Sequence, residues 1–236
     1  MTWSIVALHP SGALGVAVAS RFFAVGALCP AVLAGKGALC TQALMNPLYA
    51  RDGLAALAAG TASAEVVARL TRADAGRDAR QLHVVDAAGR VAAHTGSSCI
   101  AWCGHLAGAG FSVAGNILAG PAVIERTARA YEAASALPFA ERLLAAMDAG
   151  EAAGGDRRGK QAAALVIHTT EDYPSLSLRV DDHAEPLAEL RRLHGVSLER
   201  YQPFVSCLAR RASPAGITDR TLIEAEIARF QAARAR

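Results

Sequence analysis

A chain of 236 residues with 24 basic and 21 acidic side chains is close to electrical balance. No Lys/Arg stretch is dense enough, or interleaved with aromatics, to read as a nucleic-acid surface; Arg157-Arg158, Arg191-Arg192 and Arg210-Arg211 are isolated pairs. Hydrophobic residues make up 53% but aromatics only 5%, which suits one domain with a core of Ala, Val, Leu and Ile. Five cysteines, an odd number without disulfide-framework spacing, sit mostly in apolar runs and fit a reducing cytosol. No basic segment precedes the first apolar run, and the stretch 22–35 is too short and too broken by Gly26 and Pro30 to span a membrane. The expectation is a cytoplasmic protein with neither membrane nor nucleic acid as partner.

Residues 3–8 and 13–20 read as two strands joined by the turn His9-Pro10-Ser11-Gly12. Pairing Leu8 with Ala13 sets Thr2 opposite Ala19, with Ser20 and Arg21 at the same end of the hairpin. Residues 32–43 read as a further strand broken at Gly35-Lys36-Gly37. Asn46-Pro47 opens a helix to about residue 59, with Pro47 in a favourable first-turn place. Gly60 ends it, and Ser63 caps a second helix with the apolar stripe Val66, Val67, Leu70. Strands follow at 81–86, 90–95 and 111–118, then helices at 121–133 and 138–149. After the loop 154–159 come strands at 161–168 and 176–180, and helices near 186–194 and 219–234. Strands that arrive in hairpins between pairs of helices favour sheets sandwiched by helical layers over a single parallel sheet.

The chemistry begins at the first residues. Loss of the initiator Met ahead of the small Thr2 puts a hydroxyl nucleophile and a free α-amine, of reference pKa about 7.7–8.0, on one residue. Met-Thr alone is also an ordinary start, so the other residues must supply the context. Arg21 either orients a substrate carboxylate with its planar fork or faces water at a strand end. Ser20 either relays a proton or ends the strand. Gln42 and Asn46 stand between a strand and a helix, where polar groups can meet a ligand; Asn46 equally fits an N-cap before Pro47. Asn116, at a strand end, offers a side-chain amide for an oxyanion hole, with turn chemistry as the competing reading. The loop 154–159 spends three charges, Asp156, Arg157 and Arg158, either as the edge of a pocket or as an ordinary surface loop. His94 and His105 close strands or loops as further pocket candidates. Cys99, Cys103 and His105 lack a fourth ligand, and Asp181-Asp182-His183 cannot converge on one ion, so neither metal nor cofactor is expected.

Seven segments, in order, resemble the family catalogued as domain of unknown function 1028. They are TWSIVA from Thr2, GVAVASR from Gly15, TQALMNP from Thr41, VAAHTG from Val91, GNILAG from Gly115, GGDRRGKQ from Gly154 and LRVDDH from Leu178. The resemblance spans about residues 2–195. It implies an α+β fold, the four-layer αββα sandwich of the N-terminal-nucleophile hydrolases, in which an N-terminal Thr, Ser or Cys attacks an amide or related C–N bond. It implies a reaction class and no substrate. On this pattern residues 1–195 form the hydrolase-like domain. Residues 196–236 form a C-terminal helical extension packed on that domain or on a partner subunit of a homo-oligomer. In threonine proteases of the superfamily a strand Lys lowers the amine's pKa, which makes Lys36 a weaker candidate.

The combined expectation is a hydrolase of a C–N, amide-type bond in a small, anionic metabolite. Thr2, Arg21 and Asn116 are its catalytic residues, and Ser20, Gln42, Asn46, His94, His105, Asp156 and Arg157 bind substrate. The alternative is a non-catalytic ligand-binding or oligomer-forming protein on the same fold, in which Met1 stays attached. A thiol- or zinc-dependent enzyme built on Cys99, Cys103 and His105 ranks below both.

Overall fold

The computed structural model describes residues 2–234. Ten strands form two antiparallel sheets. The larger contains β1 (Thr2–Leu8), β2 (Leu14–Ser20), β7 (Trp102–Gly108), β8 (Phe111–Leu118), β9 (Ala162–His168) and β10 (Leu176–Val180), in the order β10-β9-β2-β1-β8-β7. The smaller contains β3 (Pro30–Leu33), β4 (Gly37–Ala43), β5 (Arg80–Asp86) and β6 (Val91–Thr95), in the order β3-β4-β5-β6. Helices α1 (Pro47–Ala58) and α2 (Ser63–Ala73) pack on the smaller sheet, while α3 (Ala122–Ala133), α4 (Phe139–Ala152) and α5 (Pro186–Glu199) pack on the larger.

Side chains alternate across a strand, so a strand buried on both faces feeds two different cores. In β1, Trp3, Ile5 and Ala7 join Leu143, Leu144 and Met147 of α4. Val6, with Val16 and Val18 of β2, instead meets Ala38, Cys40 and Val85 of the facing sheet. On the far side of the smaller sheet Leu39, Leu82 and Val84 pack with Tyr49, Leu57 and Val66 of α1 and α2. The small side chains that dominate the composition allow this close approach of sheet to sheet.

Most expected elements are present, and four differ in ways that have physical causes. The first hairpin pairs Leu8 with Leu14 and Trp3 with Ala19, one residue away from the expected register. Its turn takes an extra residue: His9 N donates to Ala13 O and Gly12 N to His9 O, both at 2.8 Å, with Gly12 at φ 86°. Because side chains alternate, that slip puts Ser20, not Ala19, beside Thr2. The run at 32–43 is a hairpin, with Gly35 at φ 64° turning the chain back. Ser63 is the first residue of α2 and not its cap; its N–H is taken by Asp86 Oδ2 at 3.1 Å. The segment holding Cys99, Cys103 and His105 contains a strand, β7, that lacks a clean apolar alternation because one face stays half-exposed.

α5 continues through residue 195, so the division expected there falls inside a helix. Beyond it, α6 (Tyr201–Val205) and α7 (Arg220–Arg234) fold back on the same chain. Arg200 pairs with Glu224, Gln231 Nε2 reaches Glu199 O at 2.6 Å, and Ile227 is buried.

Candidate active site at the head of the first strand

Thr2 stands at the head of β1, between β2 and β8, where Asn116 is its cross-strand partner. Its Oγ1 donates to Ser20 Oγ at 3.1 Å, and both residues are buried. Two side-chain amides approach its carbonyl oxygen from different sheets, Asn116 Nδ2 at 3.4 Å and Gln42 Nε2 at 3.5 Å. At those lengths neither is a strong bond. Both are held firmly from behind by Gln81 Oε1, which accepts from Asn116 at 2.9 Å and from Gln42 at 3.0 Å.

Gln81 is the centre of a polar network inside an otherwise apolar interface. Its Nε2 serves Gly115 O at 2.7 Å, Thr95 Oγ1 at 3.0 Å and Gly104 O at 3.2 Å, which ties both sheets together. Ser4 Oγ donates to Gln42 Oε1 at 2.6 Å and lies 2.8 Å from His83 Nε2. Ser4 has one hydrogen and spends it on Gln42, so His83 Nε2 must be the donor in the second contact. Burial, and then the neighbouring His105, push the His83 pKa down to about 3, which keeps the imidazole neutral. Buried polar groups rigidify a core only when paired in this way, and the rigidity is delivered to the backbone of Thr2.

A second group of contacts fixes the end of β2. Asp156, buried at 7% exposure, accepts from Arg21 N and Arg158 N, both at 2.8 Å, and from the Arg158 guanidinium at 3.4 Å. Arg21 Nη1 in turn donates to Arg158 O at 2.9 Å. Asp156 also bridges to Leu118 of β8, so the 154–159 loop clamps two strand ends that flank Thr2.

Beside Asn116 lies a cavity of about 370 Å³ whose lining includes Phe22, Leu44, Ile100, Ile117 and Arg158. Its floor is strained. Ala43 has φ 67° and Ile117 φ 50°, left-handed values that a β-branched residue rarely adopts. Surrounding bonds hold Ile117 there: its N–H donates to Ile100 O at 3.3 Å and its carbonyl accepts from Arg157 N at 3.5 Å. Leu44 is pinned similarly, with its N–H on Ala79 O at 3.1 Å and its carbonyl taken by Arg80. Strain of this kind concentrates at functional sites.

The structure brings Thr2, Ser20, Gln42 and Asn116 together, with Arg21 and Asp156 one step away. Gln42 is fully buried and paired on every side, so it supports Thr2 and does not meet a ligand. Asp156 likewise spends its carboxylate on the chain itself, while the Arg157 side chain is exposed. Asn46 lies apart, as the cap of α1: Oδ1 accepts from Leu48 N and Nδ2 donates to Asp74, both at 3.1 Å. His94 Nε2 is 2.9 Å from Arg77 O, away from Thr2, and His105 Nδ1 touches the network only through Thr95 Oγ1 at 2.9 Å. Lys36 is exposed in the β3–β4 turn, six residues along β4 from Gln42. At about 3.3 Å per residue that is roughly 20 Å, too far to act on the amine of Thr2.

Among the described residues no group of three or more His, Cys, Asp and Glu is placed to hold a metal ion. The five cysteines are unpaired with one another. No helix among the described residues is long and apolar enough to cross a membrane.

The residues that sequence reading passed over are Ser4, Gln81 and His83 of the network and the apolar lining of the cavity. Their signal was present. Gln81 and His83 alternate in an apolar strand, as Thr2 and Ser4 do in β1, which marks polar residues aimed at one face.

Two facing antiparallel sheets with helices on their outer sides, and a polar cluster under the first strand's head, define a mixed α+β protein. The chain belongs to the family described as "Family of unknown function (DUF1028)", whose model matches residues 2–190. A crystal structure of a Silicibacter pomeroyi protein carrying the same family label is 30% identical, with a TM-score of 0.85 over 92% of this chain and 96% of that one. Anbu (ancestral beta-subunit) from Yersinia bercovieri aligns over 83% of this chain and 94% of its own, at 14% identity and a TM-score of 0.38, too low to carry an argument. Comparison with curated proteins gave no match.

Proposed function

We propose that the protein is an N-terminal-nucleophile hydrolase of amide-type C–N bonds, its layers forming the αββα sandwich of that class. The observation that carries the reading is the Thr2 hydroxyl, held 3.1 Å from Ser20 Oγ at the head of a central strand next to a strained cavity. Once Met1 is removed, the α-amine of Thr2 takes the proton from its own hydroxyl as Oγ1 attacks the carbonyl carbon. Ser20 orients that hydroxyl. Asn116 Nδ2, whose bond to Thr2 O is long at 3.4 Å, is a side-chain donor on the cavity wall for the developing oxyanion. Collapse breaks the C–N bond, and the protonated amine hands its proton to the departing nitrogen. Water then attacks the Thr2 ester, releases the carboxylic acid and restores the hydroxyl. Arg21 and Arg157, both exposed beside the site, supply positive charge for an anionic part of the substrate.

The test is an amide screen with three proteins. The unaltered protein and Thr2→Ser should release amine, and Thr2→Ala should release none. Equal turnover by Thr2→Ala would remove Thr2 from the mechanism.

A further inference from the structure

We infer that the cavity beside Asn116 receives the acyl chain of the substrate, so that the scissile amide carries an aliphatic or aryl acyl group. This rests on the hydrolase reading above.

The lining is the first reason. Phe22, Leu44 and Ile100 surround one opening, and they are 54%, 66% and 67% exposed. Large apolar side chains gathered around a single concavity are not the scattered exposure usual on a protein surface; they mark a place that apolar matter enters. The second reason is preparation. Ile117 and Leu44 have both backbone polar groups engaged, so the walls stand in place before any ligand arrives. A prepared wall spends little free energy on ordering when it is filled. The third reason is charge. The one charged residue of the lining is Arg158, whose guanidinium, N–H and carbonyl are engaged with Asp156 and Arg21. Its charge is therefore already answered by Asp156, and the mostly apolar lining suits hydrocarbon. At about 370 Å³ the space lies near the lower end of small-molecule pockets, which favours a chain of modest length over a lipid. Asn116 belongs both to the cavity wall and to the contacts on the Thr2 carbonyl, so a chain in the cavity lies beside the head of β1.

Burying one methylene is worth about a four-fold change in equilibrium or rate. The experiment follows p-nitroanilides of acetyl, butyryl, hexanoyl and octanoyl acids, and in parallel the binding of acetate, butyrate, hexanoate and octanoate to Thr2→Ala. The expected result is a rise in kcat/KM of about four-fold per methylene until the cavity is full, with the same slope in binding. Leu44→Asp and Ile100→Asp, at exposed positions that leave the core untouched, should flatten both slopes. Turnover that is indifferent to chain length, or best with acetyl, overturns the acyl-chain assignment and leaves the hydrolase standing. Binding that grows with chain length in the absence of any turnover keeps the cavity as an acyl-chain site and removes the hydrolase.

Discussion

Replacing Gln81 with Met tests whether the inter-sheet network stabilises the fold around Thr2. The side chain is fully buried, and Met keeps most of its length while removing the amide. Two donors lose their principal acceptor at once, Gln42 Nε2 and Asn116 Nδ2, now at 3.0 and 2.9 Å from Gln81 Oε1. Gly115 O loses the 2.7 Å bond from Gln81 Nε2 as well. A buried polar group left unpaired costs about 1–3 kcal/mol, so the two donors alone set a loss of roughly 2–6 kcal/mol. In a domain of this size each kcal/mol moves Tm by about 2–4 °C, which gives a fall on the order of 4–24 °C. Urea denaturation and a thermal melt read both quantities. Gln161→Met is the control, because its side chain bonds to the exposed Asp182 Oδ1 at 3.1 Å, and it should stay within about 0.5 kcal/mol. A Gln81→Met protein within about 1 kcal/mol of the unaltered one would refute the reasoning, since the orphaned donors would then cost nothing.

Asp156→Ala should free the ends of β2 and β8, with a loss of about 2–4 kcal/mol and faster hydrogen exchange at the Arg21 and Arg158 amides that it now holds at 2.8 Å. His83 titrates in the folded protein near 3, below its unfolded value, so it binds fewer protons folded than unfolded in the interval between. Its contribution is therefore complete above about pH 6.5 and is lost as pH falls toward 3; from pH 7 to 5 the loss is about 2 kcal/mol, read as a lower urea midpoint that His83→Gln reduces. Asp74, brought to about 2 by bonds from Tyr49, Gly76, Asn46 and Arg80 that outweigh its burial, adds acid sensitivity only below about pH 4. Gly96→Ala places a Cβ 2.2 Å from Asp78 O and 2.4 Å from Arg77 O, both backbone atoms, and should cost about 1–3 kcal/mol in a melt.

Periodicity and turn chemistry carried most of the fold. The helix opened by Asn46-Pro47 and the strands around Val84 and Val113 announce themselves by spacing alone. What spacing does not carry is register. The extra residue in the turn at Gly12 shows only in the bonds from His9 to Ala13, yet it decides that Ser20 and not Ala19 faces Thr2. Thr2 and Asn116 stood out in the sequence by their local chemistry, and the structure makes them cross-strand neighbours. Gln81 escaped because its importance comes from five partners on four other strands, which no linear reading assembles. Lys36 misled for the complementary reason: Gly35, which looked like a strand interruption, turns the chain, and Gly37 already opens β4.

The central claim is that Thr2 is an N-terminal nucleophile with its own amine as base, and intact mass measures it most directly. Freshly purified protein is weighed before and after treatment with a β-lactone acylating probe, and the modified peptide is mapped. The account predicts loss of Met1 and a single adduct on Thr2, abolished in Thr2→Ala. A chain that retains Met1 and takes up no probe would contradict it, and the protein would then be read as a binding protein on this fold.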